Sequence, residues 1–310
     1  MNSALKTALI ASTFALAIAV VSDKLNIRQR NVNSEMTLIS NDSYNAYGNE
    51  NNDQQRLTAG NKVKITDQWD MPSALKEISG ITYLGDNSFA CIQDEVGKIF
   101  IYNTNKGKIE QEISFRANGD YEGIAIVGTT AYVVRSDGTL FEVKQYRNKK
   151  PSVTQHDTHL TKSHDVEGLC YDEQNNRLLL AVKGSESHTN DYKGIYAFDL
   201  TTKKLGKDPV YKIDLKDKVF KKYKEKGVKS VFNPSGMAIH PITKDIYIVE
   251  GTRPKLLVLD AMGTIKNLYS LNKKQFEQPE GISFNNSGEM YISNEAGKQG
   301  KGNIVKVQIQ

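Results

Sequence analysis

Cysteine, tryptophan and proline are scarce, at two, one and seven residues in a chain of 310. Two cysteines cannot build a disulfide framework, so a small stapled secreted fold is excluded. Only 23 glycines and seven prolines, without a triplet period, exclude a collagen-like fibre. A single apolar run is long enough to enter a bilayer, which excludes a multi-pass membrane protein. No Gly-x-Ser-x-Gly elbow and no phosphate-cradling glycine loop opening a helix is present. A basic body is missing as well. Residues 201–230 hold 11 Lys against Asp208, Asp214, Asp217 and Glu225, a surplus of +7. The whole chain carries +5, so the other 280 residues sum to −2. No nucleic-acid partner is expected from such a body.

What is present divides into three parts. Thr7–Val21 is uncharged and apolar, follows Lys6, and ends near a small-residue site at Ala17–Ala19. Residues 1–22 are read as a secretory signal peptide or, if uncleaved, an N-terminal membrane anchor. Either places the rest in the cell envelope, periplasmic or anchored outside the cytoplasm. Residues 23–61 are rich in Asn and poor in apolar side chains, and are expected to form a disordered tether. The remainder, 62–310, repeats.

A glycine preceded by Ser or Glu and followed by a β-type run occurs five times, at Gly80, Gly123, Gly168, Gly236 and Gly281. The spacings are 43, 45, 68 and 45 residues. Each run leads through a short turn into a second and third strand rich in β-branched and aromatic residues. This is propeller-blade spacing. The last copy ends after three strands, and Lys62–Trp69 can supply its fourth. The fold expected is an all-β propeller of five four-stranded blades, closed by the N-terminal strand, which leaves no open edge and suits a monomer. Six blades is the alternative if the 68-residue interval hides one. That interval instead places Leu215, Val219, Phe220 and Tyr223 at helical spacing among lysines, which predicts a short amphipathic helix within 216–233. Its lysines are read as a solvated face, with contact to an anionic surface as the other possibility.

In a propeller the first strand of each blade lines the axis. The residues before the glycines then form a ring of Ser79, Glu122, Glu167, Ser235 and Glu280. Two positions earlier stand Glu77, Asp120, Asp165, Asn233 and Gln278. Crowded carboxylates raise one another's pKa or recruit a cation. The donors are hard oxygens, so Glu122, Glu167, Glu280, Asp120, Asp165 and Glu77 are the candidate ligands of a Ca²⁺ ion rather than Zn²⁺. The alternative is that these glutamates cap the strands through backbone amides. Turns after the second strands add Glu95, Arg135, Lys183, Glu250, Arg253 and Glu295 to the same face as candidate ligand-binding residues. A small anionic ligand or an envelope protein would suit them, and salt bridges across blades are the plainer reading. His156, His159 and His164 lack a strong zinc spacing and are read as solvated. Cys91 and Cys170 fall in different blades and are expected to be buried and unpaired.

The segments Ser79-Gly-Ile-Thr-Tyr, Gln93-Asp-Glu-Val-Gly, Gly119-Asp-Tyr-Glu-Gly-Ile-Ala, Asp165-Val-Glu-Gly-Leu-Cys-Tyr and Pro234-Ser-Gly-Met-Ala-Ile-His-Pro together resemble the SdiA-regulated family. The similarity runs from about Leu75 to Val307. It implies a propeller that is periplasmic or membrane-associated and linked to calcium, in a family sometimes described as phytase-like. Two functions follow. One is a calcium-binding propeller that holds a ligand or partner at its channel mouth. The other is a Ca²⁺-dependent hydrolase, a phosphoesterase or lactonase, in which Arg135 and Lys183 would hold the anion and Asp120 or Asp165 would be the base.

Overall fold

The computed structural model describes residues 62–186, 191–224, 231–297 and 300–310. The expected signal and tether lie outside them. Residues 60–310 form one compact unit, and its strands fall into five antiparallel sheets.

Blade 1 comprises β2 (Ile78–Gly85), β3 (Ser88–Gln93), β4 (Lys98–Asn103) and β5 (Lys108–Ser114). Blade 2 comprises β6 (Tyr121–Val127), β7 (Thr130–Arg135), β8 (Leu140–Lys144) and β9 (Ser152–His156). Blade 3 holds β10 (Val166–Asp172), β11 (Arg177–Val182), β12 (Tyr192–Asp199), β13 (Lys204–Leu205) and β14 (Tyr211–Asp214). Blade 4 holds β15 (Gly236–Ile239), β16 (Ile246–Glu250), β17 (Lys255–Leu259) and β18 (Ile265–Ser270). Blade 5 is β19 (Pro279–Phe284), β20 (Met290–Asn294) and β21 (Asn303–Ile309), completed by β1 (Val63–Asp70). β1 pairs antiparallel with β21 from Val63↔Ile309 to Asp70↔Asn303, so the ring closes as the repeat predicted.

Five blades account for the whole ring, and the long interval hides no sixth. Part of its surplus splits the outer strand of blade 3, where β13 and β14 both pair with β12, and more of it lies between β14 and β15. Pro209 lies between the two pieces and has no N–H to give to a ladder. Blade 3 thus departs from the four-strand expectation. Among the described residues the predicted helix comprises a 3₁₀ turn at Lys218–Phe220, capped by the Asp217 carboxylate accepting from Val219 N at 2.8 Å, and then α1 (Lys221–Lys224). Its apolar residues pack as expected. Leu215 and Phe220 are buried between blades 3 and 4, with Val219 and Tyr223 against them.

The apolar core is not central. Five separate clusters occupy the clefts between neighbouring blades, one cleft each. Cys91 and Cys170 sit in two of these clusters, buried and unpaired as expected.

At the axis the inner strands β2, β6, β10, β15 and β19 touch in cyclic order. They approach so closely that a side chain does not fit. A Cβ on Gly80 would lie 2.9 Å from Gly123 Cα, and one on Gly236 would lie 2.6 Å from Glu280 O. The glycines of the repeat are therefore a packing requirement. Hydroxyls stitch the strands across the seams. Thr82 donates to Ile124 O at 2.7 Å, Ser235 to Pro279 O at 2.6 Å and Ser293 to Ser79 O at 2.7 Å.

The glycine packing makes a test. Gly236→Ala should cost about 1–3 kcal/mol through overpacking and lower the melting temperature by about 3 °C or more. Gly206→Ala, where the nearest atom to an added Cβ is 3.6 Å away, should leave the melting temperature unchanged within about 1 °C. Equal behaviour of the two variants in a thermal melt would count against the packing argument.

Candidate functional site

Each inner strand starts with an irregularity that aims one side chain at the axis. Opposite β7, Tyr121 pairs with Arg135 and Gly123 with Val134, which leaves Glu122 as the extra residue of a β-bulge. The same step occurs at Glu167, between the Val166↔Val182 and Gly168↔Ala181 pairs. It recurs at Glu280, between Pro279↔Asn294 and Gly281↔Ser293. Blade 1 slips at Ser79 and Gly80. In blade 4 Ser235 donates its N–H to Val249 O at 2.9 Å, the residue already opposite Gly236. Bulges re-aim side chains in this way, so the predicted ring of Ser79, Glu122, Glu167, Ser235 and Glu280 exists at one end of the channel.

The turns after the second strands meet the starts of the first strands on that same face. Tyr121 N donates to Asp94 O at 3.2 Å, Ser136 N to Asp120 O at 2.9 Å, and Glu295 N to Gln278 O at 2.9 Å. Below the ring the channel narrows to about 10 Å³ between Glu122, Glu167, Glu280 and the glycines, room for one water. Beyond the pinch it widens to about 150 Å³ against Ile81, Ile124, Leu169, Met237 and Ile282, with no carboxylate, amine or imidazole in its wall. The channel thus has an acidic mouth and an uncharged one, where Thr82, Tyr171, Ser283 and Asn285 join the apolar residues.

Carboxyls in the acidic mouth pair with each other. Glu122 hydrogen-bonds Asp120, whose Oδ2 accepts from Ser136 Oγ at 2.5 Å. Burial, with Glu167 and Asp120 beside it, pushes Glu122 up to about 10. Glu77 and Glu295 form the second such pair. The bond from Glu295 holds Glu77 below the ordinary carboxylate value, while burial and then Glu77 lift Glu295 to about 8. Gln278 donates to the Glu295 carboxylate as well. Glu280 rises to about 7 by burial, although Lys183, Gln278 and Ser235 pull it down. Asp94 rises to about 6, from burial and then from Glu77, Glu95 and Asp120. Burial also raises Asp165, which adopts a left-handed φ of 50°.

Glu167 is the deepest. It is 4% exposed, Lys183 donates to its Oε1, and its Oε2 is buried without a partner. Burial raises its pKa well above the ordinary value, with Glu280 adding to the rise. Burial pulls the Lys183 ammonium down, but Glu167, Glu280 and Asp165 overcome that and hold it above its usual value. Among the described residues, no three Asp, Glu, His or Cys side chains already converge as a metal cage. The donors are hard oxygens at the mouth of a narrow channel, which matches a calcium ion in chemistry.

The other candidate residues are engaged locally. Arg135 forms a fork with Asp137, two residues on, at 2.7–3.1 Å, and lies over the Phe141 ring. Glu250 is fully buried against Lys255 Nζ at 2.5 Å, with Arg253 Nη2 at 3.4 Å. The Glu95 amide donates to the Gln93 side chain. The histidine trio diverges. His156 Nε2 lies 2.9 Å from Glu142 in blade 2, the His159 ring packs on Tyr196, and His164 Nδ1 accepts from Thr161 N. His156 and His164 are half-buried rather than solvated.

Two buried lysines escaped sequence reasoning. Lys193 Nζ donates to Lys183 O and Gly184 O, both at 2.5 Å, and so holds the turn that presents Lys183. Lys255 neutralises Glu250. Both stand at the start of a third strand, where blade 1 has Lys98. That recurrence was the available signal.

Residues 54–298 match the sequence model of the family described as SdiA-regulated. No curated protein matches the chain. Among solved structures, the glutaminyl cyclase of Myxococcus xanthus aligns with a TM-score of 0.53 at 16% identity, over 80% of this chain and 96% of that one. The PQQ-bound aldose sugar dehydrogenase of Streptomyces coelicolor aligns with a TM-score of 0.52 at 11% identity, over 81% and 99%. At such identities these are likenesses of fold.

The raised carboxyls set a pH dependence. A carboxyl whose folded pKa is raised stabilises the fold below its unfolded value and loses that contribution as pH rises through the folded value. In chelator, the melting temperature should therefore fall from about pH 5 to pH 10, through the steps of Glu280, Glu295 and Glu122. Glu142, held at about 2 because Lys203, His156 and Tyr132 outweigh its burial, acts only on the acid side. Glu122→Gln should flatten the alkaline part of the curve; a melting temperature rising across this interval would contradict the assignment.

Proposed function

The chain belongs to the SdiA-regulated family, and we propose that it is an extracytoplasmic envelope propeller whose acidic mouth binds calcium and offers a ligand or partner site there. The observation that carries this reading is Glu167, a carboxylate buried at the axis with one oxygen unpartnered. A buried anionic oxygen without a partner is costly. Beside it, four further carboxyls sit as two hydrogen-bonded pairs, Asp120 with Glu122 and Glu77 with Glu295. Such pairs keep a proton where a cation would otherwise neutralise them.

Glu122, Glu167 and Glu280 would hold the ion, with Asp120, Asp165 and Glu77 around them. Calcium brings two positive charges and accepts six to eight oxygens in flexible geometry, which suits carboxylates carried on bulges. Envelope placement draws on Thr7–Val21, whose length and flanking lysine suit export or anchoring. Binding is favoured over calcium-dependent hydrolysis because the cations expected to hold an anionic substrate are already occupied. Arg135 is forked on Asp137, and Lys183 is bound to Glu167.

A melt tests the reading. Calcium added to chelator-treated protein should raise the melting temperature by about 5 °C or more at a hundredfold excess over its dissociation constant. Glu167→Gln and Glu122→Gln should each remove most of that rise while keeping a cooperative transition. No rise in the wild type would falsify the calcium site. Phosphatase or lactonase turnover that disappears in both variants would move the assignment to the hydrolase.

A further inference from the structure

The surface of blade 3 carries a charge that the acidic mouth does not use. Between Lys203 and Lys224 there are nine lysines, three aspartates and no arginine. Lys203 is turned inward to Glu142 and Tyr132, and Lys216 pairs with Asp191. Lys204, Lys207, Lys212, Lys218, Lys221 and Lys224 are all exposed, and none makes an ion pair among the described residues. They follow the split outer strand, β13 and β14, into the 3₁₀ turn and α1, and so form one strip along the outer rim.

Apolar side chains stand beside this strip. Val210 and Met262 are 40% and 83% exposed, two of the three large hydrophobic residues exposed among those described. They flank one tyrosine. Tyr211 follows Val210, and its hydroxyl donates to Ala261 O at 3.1 Å in the hairpin that carries Met262. The Tyr211 ring also lies against Gly263 of that hairpin.

We propose that the outer rim of blade 3 docks on an anionic lipid surface, with the lysines facing headgroup phosphates and Val210 and Met262 entering the interface. Lysine ammoniums are compact point charges that attract a diffuse anionic surface without needing a fixed geometry. Base readout in nucleic acids relies largely on the bidentate fork of arginine, which is missing from the strip. A duplex also offers no apolar layer for Met262. Basic side chains beside exposed apolar ones are the combination that binds interfaces, and a single weak signal needs a second to hold a protein at a membrane. This surface lies on the outer rim and its test is independent of calcium.

Cosedimentation tests it on the closed propeller, residues 62–310, which contains all five of its own interblade cores. Vesicles of phosphatidylcholine with phosphatidylglycerol should bind the protein, and vesicles of phosphatidylcholine alone should not. Added salt should release it. Replacing Lys207, Lys212, Lys218 and Lys221 together with Gln should weaken binding on the order of 600-fold, about fivefold for each lysine. Met262→Ser should weaken it further at unchanged salt dependence. Lys149→Gln with Lys150→Gln, on blade 2, should have no effect. All variants should keep the wild-type melting temperature. Equal binding to neutral and anionic vesicles, or undiminished binding by the four-lysine variant, would overturn the proposal. So would a short DNA duplex that binds as tightly as the anionic vesicles and is lost with the same variant, since that would make the strip a general polyanion site.

Discussion

Everything at the centre of this molecule follows from how closely five strands approach one axis. The spacing is too tight for a side chain, since a Cβ on Gly80 would stand only 2.9 Å from Gly123 Cα. Glycine is imposed there, and the ladder to the second strand is displaced by one residue just before it. That displaced residue stands at the rim of the axis. In blades 2, 3 and 5 it is a glutamate. A backbone packing constraint thus decides where the carboxylates go, and the pinch of about 10 Å³ below them is the same constraint seen from the channel.

The centre can be polar because stability is held elsewhere. Apolar burial is divided among five clefts, each contributing at roughly 25 cal/mol per Å² removed from water. No single hydrophobic core competes for the axis. Carboxyls that would be intolerable in an ordinary interior persist there by sharing protons, by taking Lys183, and by accepting hydroxyls such as Ser136. Functional sites in many folds store unfavourable chemistry of this kind against a rigid frame.

The repeat made much of this legible. Glycine spacing gave the blade number, the missing fourth strand of the last copy pointed to Lys62–Trp69, one residue off the observed Val63–Asp70, and Ser or Glu before glycine gave the ring. A periodicity says which end of which strand a residue occupies, but it does not give the rotamer. Arg135 and Asp137 stood on the correct face, yet two residues apart in a tight turn they satisfy each other. Glu250 meets Lys255 across its own hairpin for the same reason. Lys193 was hidden because it acts through the backbone of another turn, a contact with no charge pattern to reveal it. The insertion after blade 3 kept its helical spacing of apolar residues, but its described helix spans only Lys221–Lys224.

The pairing of β1 with β21 has a consequence for the order in which the molecule can form. The first strand of the ring to leave the ribosome bonds only to the last. Until Asn303–Ile309 is available, β1 presents a bare edge and blade 5 is incomplete, while blades 1 to 4 already have every strand they need. Contacts that span nearly the whole chain close slowly, and an unpaired edge invites the wrong partner meanwhile. The latch that completes blade 5 therefore makes closure of the ring a single late event, decided by seven residues at the end of the final blade.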